Sequence, residues 1–245
     1  VEKEDAEGLN LLVPPYRVDV QRPCDVVEDI LRIYGYNNVE IPTELKSSLT
    51  IAEEADKNYH RENIIGEQLV GAGFSEIMNN SLTKSSYYEE TGLNAYPWEE
   101  TVKVMNPLSA DLGVMRQTLL FGGLESIVRN VNRKAQNLRF FEVGNVYKFN
   151  KEKWSEESPV KAYSQDYHMA LWVTGKRVQG SWAHPDEEST FYELKAYVEN
   201  ILRRIGIAQG LLVSEKSDNN VFDKAIALKT RAGKVLVEMG ILSHK

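Results

Sequence analysis

LRFFEVGNVYKF, residues 138–149, is a strand-length run rich in Phe, Val and Tyr. Aromatic and β-branched side chains favour a pleated, half-buried strand. The run is preceded by residues 118–133, whose apolar side chains recur at helical spacing. We therefore expect a helix over residues 118–133 that leads into a long strand over residues 138–149.

Further helices and strands are predicted on both sides of this pair. Helical spacing recurs over residues 58–72 and 191–205. Strands are predicted over residues 74–82, 102–105, 168–174, 211–214, 225–229 and 235–241. Residues 87–98 are polar and aromatic, and we expect them to lie away from the core sheet. Because helices and strands occur in blocks, the pattern predicts an α+β fold with a mainly antiparallel sheet.

The composition excludes several classes of protein. The chain has 245 residues, of which 42% are hydrophobic and 27% charged, and this suits one or two domains. No apolar run approaches the ~20 residues that span a bilayer, so no membrane association is expected. The single cysteine, Cys24, excludes a disulfide framework and a cysteine-only zinc site. Residues 1–7 carry no secretory signal, and we expect a cytoplasmic protein.

The charge is unevenly distributed. The net charge is −7, and residues 1–45 hold four basic against ten acidic side chains. Binding to nucleic acid normally requires a basic surface, because affinity comes largely from neutralised phosphates. The acidic first part of the chain suits a divalent cation or a basic partner instead.

Residues 11–42 are predicted to form a small unit of their own. Polar and apolar residues alternate over residues 17–20, which predicts a short strand. Apolar spacing predicts a helix over residues 25–34. Residues 42–48 are typical of a linker, and we place the domain boundary near residue 46.

Four carboxylates cluster in this unit: Asp19, Asp25, Glu28 and Asp29. Hard oxygen ligands at short range are what Mg²⁺ prefers, which makes the group a candidate metal site. Helix capping is the plainer explanation from spacing alone. Asp25 as N-cap, Glu28 as its capping-box partner and Asp29 as a complement to the helix dipole account for three of the four.

Three other features are candidates for chemistry, and each has a plainer structural explanation. Cys24 precedes a helix start, but no histidine lies nearby in sequence to activate a nucleophile. Arg116 is either a buried structural arginine or an arginine that clamps an anion. Gly122-Gly123 lacks the following Lys-Ser/Thr of a phosphate loop and is interpreted as helix packing or a local bend.

Several segments together resemble the beta subunit of bacterial phenylalanine–tRNA ligase. The first two resemble its small fifth domain, and the others, in the same order, resemble its catalytic-like domain. The segments are VPPYRVDV (13–20), DVVEDILRIYGYN (25–37), GFSEI (73–77), NPLS (106–109), MRQTLL (115–120), FFEVGNVY (140–147) and FYELK (191–195). They extend over nearly the whole chain.

The resemblance implies a fold and a setting for the chain. Residues 46–245 would have the class II aminoacyl-tRNA synthetase fold, an antiparallel sheet flanked by helices. Residues 1–45 would be the C-terminal part of a small helical domain of winged-helix type. The enzyme is similar to other phenylalanyl synthetases, α₂β₂ assemblies that charge tRNA(Phe) with phenylalanine using ATP and Mg²⁺. In that family the alpha subunit binds ATP and carries the active site.

The same resemblance implies a metal site. The magnesium positions of the family's beta subunit fall on Asp19, Asp25, Glu28 and Asp29 of this chain. Asp29 replaces the glutamate commonly found there, which keeps the charge and shortens the reach. The implied Mg²⁺ is shared with the alpha subunit.

The resemblance also implies a core without catalytic residues. An adenylate-forming class II site uses an arginine to clamp the α-phosphate, and Lys148 stands at that position here. Asn150 stands at the position of its acidic partner. A lysine is not a planar bidentate fork, and the family's glycine-rich third motif does not follow in the sequence. We therefore expect a structural core that activates no amino acid.

The remaining expected role is assembly. Class II enzymes dimerise through a helix and strand that correspond to residues 58–82, and we expect this pair to pack against the alpha subunit. Its apolar side chains include Ile64, Ile65 and Leu69, which the sequence cannot divide between core and interface. Two alternatives stay open: an active ATP-dependent ligase and a nucleic-acid-binding module. The acidic balance of residues 1–45 speaks against the second.

Overall fold

The structure is a computed structural model that describes residues 3–5, 8–44, 47, 53–90 and 92–244. The chain divides into two compact units, Val1–Ile51 and Ala52–Lys245. The boundary predicted near residue 46 lies outside the described residues.

The first unit contains a small hairpin and one helix. Strands β1 (Lys3–Asp5) and β2 (Gly8–Asn10) pair antiparallel. Helix α1 (Pro23–Tyr34) follows and ends at Gly35, whose φ of 92° favours glycine. None of the residues of α1 is buried within the unit.

The helix predicted over residues 25–34 is confirmed, but its predicted N-cap, Asp25, and the strand predicted over residues 17–20 were wrong. The helix begins at Pro23 and not at residue 25, because a proline at the first helical position loses no hydrogen bond. Asp25 therefore lies inside the first turn and Arg22 is the N-cap. Residues 17–20 do not form a strand. Two consecutive turns occur instead, with Arg17 N donating to Pro14 O and Val20 N to Arg17 O.

The second unit contains four helices and ten strands among its described residues. The helices are α2 (Glu54–Gly71), α3 (Ser86–Glu89), α4 (Leu120–Val131) and α5 (Phe191–Arg204). The strands are β3 (Ser75–Glu76), β4 (Leu82–Thr83), β5 (Val114–Met115), β6 (Leu138–Phe149), β7 (Tyr163–Thr174), β8 (Lys176–Val178), β9 (Glu187–Glu188), β10 (Leu212–Lys216), β11 (Phe222–Thr230) and β12 (Val235–Leu242).

The long hairpin of β6 and β7 organises this unit. The two strands pair antiparallel over their whole length, from Leu138 opposite Thr174 to Phe149 opposite Tyr163. Strand β3 pairs with the other edge of β6 in parallel. Strands β10, β11 and β12 form a separate antiparallel sheet, and β4–β5 and β8–β9 are small antiparallel pairs. Pairing among the described strands is thus mainly antiparallel, in a mixed α+β arrangement.

Each face of the hairpin is covered by helices. One face, here called the α4 face, carries the alternate residues from Leu138 to Lys148 and their cross-strand partners. On it Phe140, Val146 and Trp172 pack against Leu119 and Ile127 of the α4 region.

On the opposite face, Phe141 packs against Leu69 of α2, Phe74 and Ile201 of α5. Helix α5 also packs on the three-stranded sheet through Val198 and Leu202. This helix therefore joins the two sheets.

Gly123 explains why α4 approaches the hairpin closely. A Cβ at this position would lie 2.2 Å from the indole ring of Trp172. The interpretation of Gly122-Gly123 as helix packing is confirmed.

The element predictions for this unit differ in accuracy. Strand β6 covers residues 138–149 as predicted. The strand predicted over residues 74–82 is wrong, because only its two ends pair, as β3 and β4 in different sheets. The strand predicted over residues 102–105 is a single bridge at Lys103. Residues 87–98 form their own cluster, in which Tyr88 packs against Val114 and Phe121.

Candidate metal centre and the end of strand β6

Asp25 is held in the ionised form by the start of α1. Its Oδ2 accepts hydrogen bonds from the backbone amides of Gln21 (3.0 Å) and Arg22 (2.8 Å). These amides, together with the Arg22 guanidinium, lower the pKa of Asp25 from 3.8 to about 2. The exposed thiol of Cys24 also donates to this carboxylate, at 3.5 Å.

Arg17 lies between two of the other candidate ligands. Its Nη2 is 2.9 Å from Asp19 Oδ2 and 2.7 Å from Asp29 Oδ2. The hydrogen bond from Arg17 lowers the pKa of Asp19, and the two carboxylates raise the pKa of Arg17. The fourth candidate, Glu28, accepts a hydrogen bond from Arg32 one helical turn later, at 2.7 Å.

The residues match Mg²⁺ in chemistry but not in their present arrangement. Four carboxylates supply the hard oxygen ligands that the ion prefers. Each of them is paired with an arginine, and Arg17 stands between Asp19 and Asp29. Among the described residues, no three acidic, histidine or cysteine side chains are grouped closely enough to hold a metal ion. The assignment of the metal therefore stays a prediction.

Arg116 is a structural arginine. It is buried, and its Nη1 donates to Glu142 Oε1 at 2.6 Å while its Nε donates to Asn145 O at 2.9 Å. Gly144 provides the space, since a Cβ there would lie 2.3 Å from Arg116 Nη2. The plainer of the two sequence interpretations is correct.

Sequence reasoning missed the acid that neutralises Arg116. Glu142 is only 2% exposed and also accepts a hydrogen bond from Asn79 Nδ2, at 2.6 Å. An acidic residue flanked by the apolar residues Phe141 and Val143 was the available signal. Its partners could not be identified, because Asn79 is 63 positions away in the sequence.

Lys148 occupies the end of β6 with an acidic partner. Its Nζ donates to Glu100 Oε2 at 2.9 Å, and the two side chains are 40% and 43% exposed. Asn150 accepts a hydrogen bond from Glu152 N and stabilises a short turn. Glu100 lies on the turn Trp98–Glu100 and was not predicted as part of this site.

The structure shows which apolar side chains of α2 are buried in the core and which are exposed, a division that the sequence alone could not make. Leu69 is buried against the hairpin, and Ile65 packs on the same cluster. Ile64 lies in a groove between α2 and α5. Tyr59 and Val70 are 68% and 59% exposed on the same helix.

The fold is shared with a tRNA synthetase. A solved pyrrolysyl tRNA synthetase from Desulfitobacterium hafniense superposes with a TM-score of 0.50 over 74% of this chain and 57% of that chain. The sequence identity is 16%, so this similarity concerns the fold alone. Among the described residues, no helix is long and apolar enough to cross a membrane.

Sequence comparisons define the family. The family model described as the phenylalanyl tRNA synthetase beta chain CLM domain matches residues 41–245, and the tRNA synthetase B5 domain matches residues 1–36. The chain belongs to the family of phenylalanyl tRNA synthetase beta chains. It is 57% identical over 242 residues to the phenylalanine–tRNA ligase beta subunit of Bacteroides fragilis and 47% identical over 243 residues to that of Porphyromonas gingivalis. The alignments cover 99% of this chain and 29% of each relative.

Proposed function

We propose that this chain is the catalytic-like core of a phenylalanine–tRNA ligase beta subunit and serves assembly rather than catalysis. The whole enzyme is an α₂β₂ heterotetramer in the cytoplasm. Its alpha subunit binds ATP and phenylalanine, and the complete assembly binds and charges tRNA(Phe). The family match over residues 41–245 supports the assignment to this subunit.

The observation that carries the non-catalytic role is the ion pair of Lys148 and Glu100. Amino-acid activation requires a cation that stabilises negative charge as it develops on the α-phosphate. An arginine does this with a planar fork that forms two parallel hydrogen bonds, whereas a lysine offers a point charge. Here that charge is already neutralised by a carboxylate of the same chain.

ATP–pyrophosphate exchange with phenylalanine tests this role. The chain alone should give no exchange above a protein-free blank, whereas the assembled enzyme should give exchange through its alpha subunit. Phenylalanine-dependent exchange by the purified chain would contradict the proposal.

The two parts of the chain have different origins in the proposed subunit. Residues 1–45 are the C-terminal part of the small winged-helix-type domain, and residues 46–245 are the class II catalytic-like core. The separate family matches to residues 1–36 and 41–245 support this division.

Helix α2 and the segment after it are the proposed contact with the alpha subunit. The predicted segment covers residues 58–82. Tyr59, Val70 and Met78 support this assignment, because they are large, apolar and 68%, 59% and 90% exposed. Exposed apolar side chains of this size are typical anchors of protein interfaces.

The proposed metal site comprises Asp19, Asp25, Glu28 and Asp29, with Mg²⁺ shared with the alpha subunit. The ion would neutralise the excess negative charge of this cluster. The positive charge of Arg17 now neutralises Asp19 and Asp29, so binding of the ion requires Arg17 to move away from these two carboxylates. The ordered carboxylate of Asp25 supports the proposal, since its backbone hydrogen bonds keep it ionised.

A further inference from the structure

Helix α5 ends in a turn that brings the chain back over the last turn of the helix. Gly206 has a φ of 86°, and its amide donates to Arg203 O at 3.1 Å. Ile207 N donates to Leu202 O at 2.8 Å. These two bonds form a Schellman motif, which satisfies the last carbonyl groups of a helix and commonly brings together apolar side chains on its two sides. Ile207 accordingly packs on the apolar cluster between α5 and the three-stranded sheet.

A cleft lies beside this turn, between α5 and the edge strand β10. Its volume is about 320 Å³. Its apolar wall is formed by side chains of the same cluster, namely Leu202, Ile207, Leu212 and Leu228. Ala208 and Ser214 also line the cleft, and their side chains are too small to fill it. The volume is at the lower end of the range of about 300–1,000 Å³ that is usual for small-molecule sites, whose walls are mostly apolar.

The rim of the cleft on α5 carries three charges, each one helical turn from the next. They are positive at Lys195, negative at Glu199 and positive at Arg203. Lys195 Nζ lies 3.5 Å from Glu199 Oε1, so these two charges compensate each other. Arg203 Nη1 donates to the neutral Asn200 Oδ1 at 3.4 Å, and Arg203 forms no ion pair with the described residues. The rim therefore has one positive charge without a counter-charge.

We propose that this cleft binds a medium-chain monocarboxylate, that is, one negative charge on an unbranched apolar body. The apolar body lies on the wall of the cleft, where it is removed from water. The carboxylate accepts charge-assisted hydrogen bonds from the guanidinium of Arg203 and supplies the missing counter-charge. This site is distinct from the four carboxylates of the first unit and from Lys148, and it does not depend on the proposed assembly role.

Isothermal titration calorimetry with octanoate, at constant ionic strength, tests the inference on the 245-residue chain. Two comparison ligands separate the contributions, since 1-octanol has the apolar body without the charge and acetate has the charge without the body. We expect octanoate to bind about tenfold more tightly than either, because only octanoate uses both the wall and Arg203. The absence of octanoate binding, or equal binding of octanoate and 1-octanol, would overturn the inference.

Arg203→Met identifies the cation, because it removes the charge and keeps an apolar stem. R203M should bind octanoate about tenfold more weakly than the wild type. Arg204→Met is the matched control, since Arg204 is the next exposed residue of α5 and lines the groove between α2 and α5 instead. R204M should bind like the wild type. Unchanged binding by R203M, or equal losses in the two variants, would contradict the role of Arg203.

Methyl NMR spectroscopy locates the ligand within the chain. Octanoate should shift the methyl resonances of Ile207 and Leu212 and leave those of Ile64, in the groove between α2 and α5, unchanged. Ala208→Phe places a ring in the cleft and should abolish both the shifts and the heat of binding, whereas Ala208→Ser should preserve them. Circular dichroism checks that the variants are folded. Shifts confined to Ile64, or undiminished binding by A208F, would show that the cleft is not the site.

Discussion

At the scale of single residues, the ion pair of Arg116 and Glu142 is the most deeply buried charge interaction described. Its side chains are 8% and 2% exposed, and the N–O distance is 2.6 Å. Removing one partner of such a pair leaves an uncompensated charge in a medium of low polarity. The pair therefore fixes the conformation of the segment before α4 relative to β6.

Glu142→Gln should reduce the free energy of unfolding by about 3 kcal/mol, because Arg116 stays buried without its counter-charge. Urea denaturation monitored by circular dichroism measures the change. Glu215→Gln is the control, since Glu215 forms an exposed pair with Lys229 at the same distance of 2.6 Å. That change should cost less than about 1 kcal/mol. Equal losses in the two variants would contradict the structural role of Glu142.

Asp25 should contribute a pH-dependent stabilisation of α1. Its pKa in the folded protein, about 2, lies below its ordinary value of 3.8. The contribution is therefore present above about pH 4 and is lost as the pH falls through 2. Carboxyl NMR titration should show a midpoint near 2 for Asp25. A midpoint close to 4 would mean that the backbone amides of Gln21 and Arg22 do not hold this carboxylate.

Arg17 should compete with a divalent cation for Asp19 and Asp29. Arg17→Met removes the guanidinium that now lies between them, so the variant should bind Mn²⁺, used as a probe for Mg²⁺, several-fold more tightly than the wild type. Electron paramagnetic resonance of free Mn²⁺ measures this binding. Arg61→Met, which removes an exposed arginine in α2, should leave the affinity unchanged. If R17M and R61M bind equally, Arg17 does not guard a metal site.

At the scale of elements, the close approach of α4 to the β6–β7 hairpin depends on a missing side chain. Gly123 faces the ring of Trp172, and α4 packs at a distance that only a glycine allows. The glycine is unfavourable for the helix itself by roughly 0.5–1 kcal/mol relative to alanine. Gly123 is required because it permits the close contact between α4 and Trp172.

Gly123→Ala should destabilise the chain by about 1–3 kcal/mol, because the new methyl group overpacks the contact with Trp172. Gly66→Ala is the matched control inside α2, where a Cβ would lie 3.9 Å from Phe141. That distance is ordinary van der Waals contact, so G66A should be neutral or stabilising by up to about 1 kcal/mol. Thermal unfolding compares the two, and a destabilised G66A with a neutral G123A would contradict the packing described.

Elements with a strong internal pattern could be predicted, and elements defined by distant partners could not. Both ends of strand β6 were predicted correctly, because apolar side chains that pack on both faces of the hairpin occur along its length. The segment over residues 74–82 also resembled a strand. There the backbone amide and side chain of Asn79 turn to Glu142 and interrupt the pairing. Residues 17–20 alternated as a strand does, but Arg17 is engaged by carboxylates and the segment turns twice.

In the candidate site, too, local features could be predicted from the sequence and contacts with distant residues could not. The four carboxylates could be found in the sequence, because they lie within 11 positions of one another. Their exact bonding could not, since it depends on where α1 begins and on the position of Arg17. Glu100 was missed because its partner Lys148 lies 48 positions further on.

At the scale of the whole molecule, the second unit combines a packed core with exposed apolar surface. Helices cover both faces of the central hairpin, and α5 joins it to the three-stranded sheet. Tyr59 and Val70 nevertheless stay exposed on α2. A protein retained for assembly requires this combination of a stable core and an anchoring surface.

Native mass spectrometry of the chain mixed with a phenylalanine–tRNA ligase alpha subunit tests the assembly role most directly. The wild-type chain should form a complex, and Val70→Asp should abolish or weaken it at least tenfold, because a charge would be buried at the contact. Val128→Asp on α4 is the control, since Val128 is 58% exposed where Val70 is 59% exposed. V128D should assemble like the wild type. Absence of any complex with the wild-type chain, or equal assembly of V70D and V128D, would contradict an assembly role through α2.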